Sequence, residues 1–213
     1  MRKLTLTLAA ASLAALTIGS LHAQGGPAQI PGQLDASRVQ AGTYKSDKNH
    51  SLVGWRLNHF GFNDYFGIFG DVDATLTIDP ANLAATKVDA MIPINPVVAS
   101  QGLHDHLLRD GQNGGKPDFF GPNQQAAHFV STSVMPNGNK AMIHGDLTLN
   151  GVTKPVVIDA EFVGAGNSMM GNKLTVGFEG TTTIKRSDFG LNTFVPMVSD
   201  EVELQITTAF EKQ

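Results

Sequence analysis

An all-β fold built mostly from antiparallel strands is what this sequence predicts, and three observations carry that prediction. Period-two alternation of apolar and polar residues dominates from Gly42 onward. Turn dipeptides separate the alternating runs, above all Asn150-Gly151, whose residues both tolerate the positive φ of a type I′ hairpin. Only one segment reads as a helix. A single helix cannot shield roughly eight half-apolar strands, so the sheet must close as an up-and-down barrel or divide into a two-sheet sandwich. Long, even runs without Greek-key-length crossovers favour an eight-stranded antiparallel barrel with one short helical segment. Periodicity leaves open whether the interior of such a barrel is packed or holds a small ligand.

The elements follow in chain order. Val53, Trp55, Leu57 and His59 share one strand face, with Arg56 and Asn58 opposite. Phe66, Ile68, Gly70, Val72, Ala74, Leu76 and Ile78 read as one long strand ended by Asp79-Pro80. Val88, Ala90, Ile92 and Ile94 form another run, with Pro93 demoting its end to an edge or bulge. Ser100 is the expected N-cap of the helix, Leu103, Leu107 and Leu108 its apolar face, and Gly111 its end. Five further strands are expected at Ala127–Met135, Ala141–Leu149, Val152–Val163, Leu174–Ile184 and Val202–Phe210. Asn137-Gly138 and Gly171-Asn172 supply further turns between them.

The ends and the composition bound the function. Arg2 and Lys3 precede an Ala/Leu-rich run, and Leu21-His22-Ala23 ends in a small residue, which is the layout of a cleaved secretory signal over residues 1–23. A retained membrane anchor is the alternative, although the apolar core is short for a span. Residues 24–40 read as a Gly/Pro/Gln-rich flexible lead-in, and residues 41–213 as one barrel domain. There is no cysteine, so disulfides, thiolate chemistry and lipid attachment to an N-terminal cysteine are excluded. Export without cysteine places the protein in a bacterial periplasm. Without residues 1–23 the chain holds 13 basic and 19 acidic residues, a net charge of −6. A mildly acidic chain with no basic cluster is a poor match for nucleic acid.

Reactive-site signatures are scarce. Seven histidines are present, and His104-Asp105-His106 is the tightest group. On a helix those two histidines diverge by about 200°, which opposes a shared ion. No zinc-hydrolase spacing, Gly-x-Ser-x-Gly elbow or phosphate loop occurs. No cofactor and no enzymatic activity is expected. A metal-assisted hydrolase or isomerase using His50, His59 and His104 stands as the alternative.

Seven stretches together resemble the YceI-like family. They are His50-Ser51 leading to His59, Gly67-Ile68-Phe69-Gly70, His106-Leu107, Asp118-Phe119-Phe120, Phe129-Val130-Ser131, Gly145 through Val152, and Arg186-Ser187-Asp188-Phe189-Gly190-Leu191. Each is weak alone; in this order, across about residues 42–210, they form a specific pattern. The sequence departs from it where Gly-rich Leu108–Pro117 separates His106-Leu107 from Asp118, and where Gln124-Gln125-Ala126 replaces a proline before Phe129. The resemblance implies an extended lipocalin-like barrel whose long apolar pore binds a polyisoprenoid or quinone-like lipid in an exported protein.

For such a pore the strand faces nominate Val53, Trp55, Leu57, Phe66, Ile68, Val72, Ile143, Leu147, Val176 and Phe178 as lining. His59, His104 and Arg186 are the candidate headgroup donors, since imidazole and guanidinium N–H groups reach phosphate or carbonyl oxygens. The competing roles are a satisfied buried histidine for His59 and an ion pair with Asp188 for Arg186. The sequence leaves an inner-membrane partner and a homodimer open.

Overall fold

The protein is described by a computed structural model over residues 29–213. The expected leader, residues 1–23, and the first part of the lead-in lie outside the described residues. The strands are β1 (Gly42–Ser46), β2 (Leu52–His59), β3 (Asn63–Phe69), β4 (Asp73–Ile78), β5 (Lys87–Ile92), β6 (Pro96–Val98), β7 (Ala127–Asn137), β8 (Lys140–Leu149), β9 (Val152–Asn167), β10 (Leu174–Lys185) and β11 (Glu201–Lys212), with helix α1 at Gln101–Leu108. Every pairing is antiparallel, and β1 pairs with β11 to close the ring.

Among the described residues eleven strands make eight staves. β1 and β2 lie end to end along β11, β4 and β3 lie end to end beside them, and β5 and β6 continue the pattern. With β7 to β11 this is an eight-stranded closed antiparallel barrel, the architecture expected over the sandwich. The Asn150-Gly151 hairpin has φ of 51° and 76°, as a type I′ turn requires.

The breaks between β1 and β2 and between β3 and β4 change the side-chain phase, whereas Val88, Ala90, Ile92 and Ile94 keep one phase from β5 towards β6. Across Gly70-Asp71-Val72, with Asp71 at φ 57°, the inward set switches from Tyr65, Gly67 and Phe69 to Val72, Ala74, Leu76 and Ile78. Ser46 Oγ stitches this break, donating to the Val72 carbonyl at 2.7 Å and accepting from Ala74 N–H at 2.8 Å. The sequence reading of Phe66–Ile78 as one uninterrupted strand is corrected here: a single extra residue reverses which face is buried.

The loops gather at two ends. One end carries the lead-in, the β4–β5 loop, the β7–β8 and β9–β10 turns and the C-terminus; we call it the open end. The other, the capped end, carries α1 with the segment to Ala127, the β2–β3 and β8–β9 turns, and residues 186–200 between β10 and β11. Helix α1 begins where expected, Ser100 Oγ accepting from Leu103 N–H, and buries Leu107 under the cap. The described part of the lead-in is not a loose tail. β9 runs past the end of β8, and Gln33 takes the vacant edge, exchanging bonds of 3.0 and 2.9 Å with Ala165. Gly164 and Gly166 permit this approach, since a Cβ on Gly166 would lie 2.0 Å from the Pro31 carbonyl oxygen.

Candidate functional site

The barrel encloses an apolar cavity in two chambers. The larger, about 530 Å³, is lined among others by Val39, Val72, Leu76, Val88, Ile143 and Phe178. The inner chamber, about 160 Å³, lies towards the cap among Trp55, Phe69, Leu107, Phe120, Leu147 and Leu191. Val53, Ile92, Phe129, Ile158 and Ile206 border both and form the waist between them. The larger chamber reaches exposed Leu34, Pro80, Leu83, Asn139 and Lys140, whereas among the described residues no exposed one lines the inner chamber. The cavity therefore opens at one end and is blind at the other.

Two inward glycines shape the blind half. A Cβ on Gly67 would sit 2.5 Å from Trp55 Cζ2, and one on Gly145 would sit 2.3 Å from Phe129 Cζ. Each glycine is a seat on which an aromatic ring lies flat against the wall, keeping the ring out of the lumen. Trp55 is 8 % exposed, and its Nε1 is buried without a hydrogen-bond partner, so the indole acts as an apolar plate.

The predicted lining residues divide three ways. Val53, Trp55, Leu57, Val72, Ile143, Leu147 and Phe178 line one or both chambers. Val176 is fully buried in the wall packing and borders neither. Phe66 and Ile68 point outwards: they pair with Arg56 and Gly54, and Phe66 is 69 % exposed. The phase change at Asp71 is the physical reason. The waist residue Phe129 and the cap residues Phe119 and Phe120 were not foreseen as lining; for Phe129 alone the inward Gly145, diagonally across the hairpin, was a readable sign.

None of the three headgroup candidates turns a donor into the cavity. Arg186 is 3 % exposed, and its guanidinium donates to the backbone carbonyls of Ser199 (2.9 Å), Leu191 (2.5 Å), Thr193 (2.9 Å) and Val198 (2.8 Å). It forms no ion pair with Asp188; it staples the loop between β10 and β11, with its charge 5.9 Å from the centre of the Phe119 ring. Burial pulls its pKa down, opposed by Asp200. The surface it lends to the inner chamber is wholly apolar. His59 stacks on Tyr65 at 4.0 Å, and His104 lies on α1 beside Asp105; neither lines a chamber.

The other polar groups brace the walls. His50 meets Asp47 at 2.6 Å, His128 meets Asp89 at 2.9 Å and His106 meets Asp118 at 3.0 Å. Asp118 also accepts from Arg109 at 2.7 Å, and this bond, with that from His106, holds its carboxyl below the usual range. The additional segment Leu108–Pro117 is thereby pinned to α1 and borders neither chamber. Among the described residues no three His, Asp or Glu side chains assemble as metal ligands.

Comparison with known proteins places these features. The model of the YceI-like domain family matches residues 44–210. A UPF0312 protein of Pseudomonas paraeruginosa is 38 % identical over 199 residues, covering 92 % of this chain and 95 % of its own. The crystal structure of Burkholderia cenocepacia BcnA superposes with a TM-score of 0.64 at 25 % identity, over 77 % of this chain and 98 % of that one. A polyisoprenoid binding domain from Saccharophagus degradans, implicated in plant cell wall breakdown, shares the fold with a TM-score of 0.52 at 12 % identity, over 80 % and 98 % of the two chains.

Proposed function

This chain belongs to the YceI-like family, and from that premise we propose that it is a non-enzymatic periplasmic carrier holding one polyisoprenoid lipid or similar long apolar amphiphile. The observation that carries the reading is the two-chambered apolar cavity, open at one end only. A hydrocarbon tail needs no hydrogen bonds, only dry concave surface. Each buried carbon-sized group contributes about 0.8 kcal/mol, so one five-carbon isoprene unit supplies about 4 kcal/mol before ordering costs. The binding domain named in the Saccharophagus degradans structure supports the same ligand class.

The geometry favours one orientation. The inner chamber offers no polar surface and Arg186 is committed to carbonyls, so the apolar terminus lies towards Trp55. A polar head stays at the open end, where Asn139 and Lys140 line the larger chamber. Burying a head in the blind half would leave its polar atoms unpaired, at a cost of about 2 kcal/mol or more.

Organic extraction of the purified protein followed by mass spectrometry tests the proposal. A long-chain lipid is the expected product, and Trp55→Ala is expected to weaken rebinding of it about tenfold. Protein that is ligand-free and takes up no polyprenyl or quinone probe would remove the carrier reading.

A further inference from the structure

The open end exposes apolar side chains that the packed core does not require. Met169 and Met170 stand side by side at the tip of the β9–β10 turn, 86 % and 83 % exposed. Ile30 and Leu34 on the lead-in are 74 % and 66 % exposed, and Leu83 on the β4–β5 loop is 37 % exposed. Leu34 and Leu83 also line the larger chamber, so the outer patch and the cavity wall are one continuous apolar surface.

Charge decides what that surface suits. The cations near this rim are engaged locally: Arg38 with Asp35, Lys140 with Glu161, Lys173 with Glu211, and Lys212 with the Gln40 side chain. The Gln40 amide is neutral, so Lys212 is offset by Glu179, exposed where it lines the larger chamber, as Asp79 offsets Lys87 on the β4–β5 loop side. The rim therefore offers no net field to draw anionic lipid. Its contact chemistry is that of flexible thioether and aliphatic tips, which suit the boundary between headgroups and acyl chains.

We propose that the open end docks on a zwitterionic lipid bilayer, with Met169 and Met170 entering first and Leu34 and Leu83 joining the bilayer to the cavity. This rests on reading the cavity as a site for an apolar chain: such a chain crosses water only at a cost that grows with every carbon, so its doorway must abut a lipid phase.

The test separates docking from cargo binding. Cargo-free protein is mixed with phosphatidylcholine vesicles containing no anionic lipid, and bound protein is measured by flotation. Equilibrium uptake of the apolar fluorophore N-phenyl-1-naphthylamine is measured separately without vesicles. The variant M169S/M170S is expected to lose about tenfold or more of vesicle binding while its fluorophore uptake is unchanged. Phe62→Ser removes a 90 % exposed aromatic at the capped end and is expected to leave both unchanged. Raising salt from about 0.1 M to about 1 M is expected to leave docking intact, because no long-range charge attraction is involved.

Wild type that does not float with vesicles overturns docking, whatever the fluorophore does. Loss of vesicle binding in Phe62→Ser but not in M169S/M170S also overturns it, moving the surface to the other end. A concentration-dependent dimer abolished by M169S/M170S, without flotation, overturns it by assigning the patch to a second copy. Vesicle binding that depends on Met169 and Met170 in protein that takes up no fluorophore upholds docking and removes only the cavity reading.

Discussion

The capped end and the open end of this barrel stand only a strand's length apart, yet their loops are held by different forces. At the capped end a buried guanidinium gathers four backbone carbonyls, Ser187 donates through both its N–H and Oγ to Asp200, and Phe189 is 1 % exposed. At the open end the described loops meet the solvent with Met169, Met170, Leu34 and Leu83, and the pairs that brace the rim are exposed. Irregular backbone can be buried only where each of its polar groups finds a partner. Both ends leave apolar side chains in solvent, Phe62 and Met197 at the capped end among them. What sets the blind end apart is the polar satisfaction of its buried loop, and what sets the doorway apart is that its exposed apolar residues run on into the cavity wall.

Arg186→Leu attacks that contrast most directly. It strands four carbonyls, those of Leu191 and Val198 at fully buried contacts and those of Ser199 and Thr193 at partly buried ones. Each fully buried one costs about 1–3 kcal/mol when left unpaired, so the expected loss is on the order of 3 kcal/mol. Arg186→Lys is expected to recover little, because three donors on a point charge cannot reproduce the planar fork. The urea midpoint measures both variants. A loss under about 1 kcal/mol for Arg186→Leu would mean that apolar packing alone holds the cap.

Asp118→Asn probes the same end through pH. The folded-state pKa of Asp118 is depressed, by Arg109 first and His106 second. Its contribution is therefore fully present above the ordinary carboxylate value near 3.8 and disappears as pH falls through the depressed one. The group is about one-third exposed, which limits its contribution to about 1 kcal/mol. Urea unfolding is expected to separate wild type from Asp118→Asn at neutral pH and to bring them together well below pH 3.8. A gap that persists in strong acid would mean that the side chain acts through packing, not charge.

How far the sequence could be read follows the same division. Strand positions, the Asn150-Gly151 turn and the Ser100 cap were legible because each is set by local chemistry: alternation, positive φ and an N-terminal acceptor. The closed ring was legible in outline, since one short helix cannot cover that much apolar sheet. Phe66 and Ile68 were misplaced because periodicity carries no record of one extra residue at Asp71, and every side chain beyond it changes face. Arg186 was assigned to a headgroup because its carbonyl partners lie 5 to 13 residues away on a loop with no regular period. The pairing of the lead-in with β9 was hidden for a related reason: the β9 edge is vacant only because β8 is shorter, which appears once both lengths are known. What escaped the sequence is what depends on two distant segments at once.

The smallest expected effect is at the doorway. Met169→Ser replaces a side chain that is 86 % exposed at the tip of the β9–β10 turn and lines neither chamber, so stability should change by no more than about 0.5 kcal/mol. Phe189→Ala at the capped end, removing a ring of the same core that surrounds Trp55, is expected to cost about 3–5 kcal/mol. Measured together by urea unfolding, the pair sets the scale of the contrast between the two ends. If Met169→Ser proved as costly as Phe189→Ala, the open end would be a second packed cap and the β9–β10 turn would form part of the core. A ratio near tenfold would mean that the doorway contributes almost nothing to the fold, leaving its apolar residues free to be selected for what they touch outside the barrel.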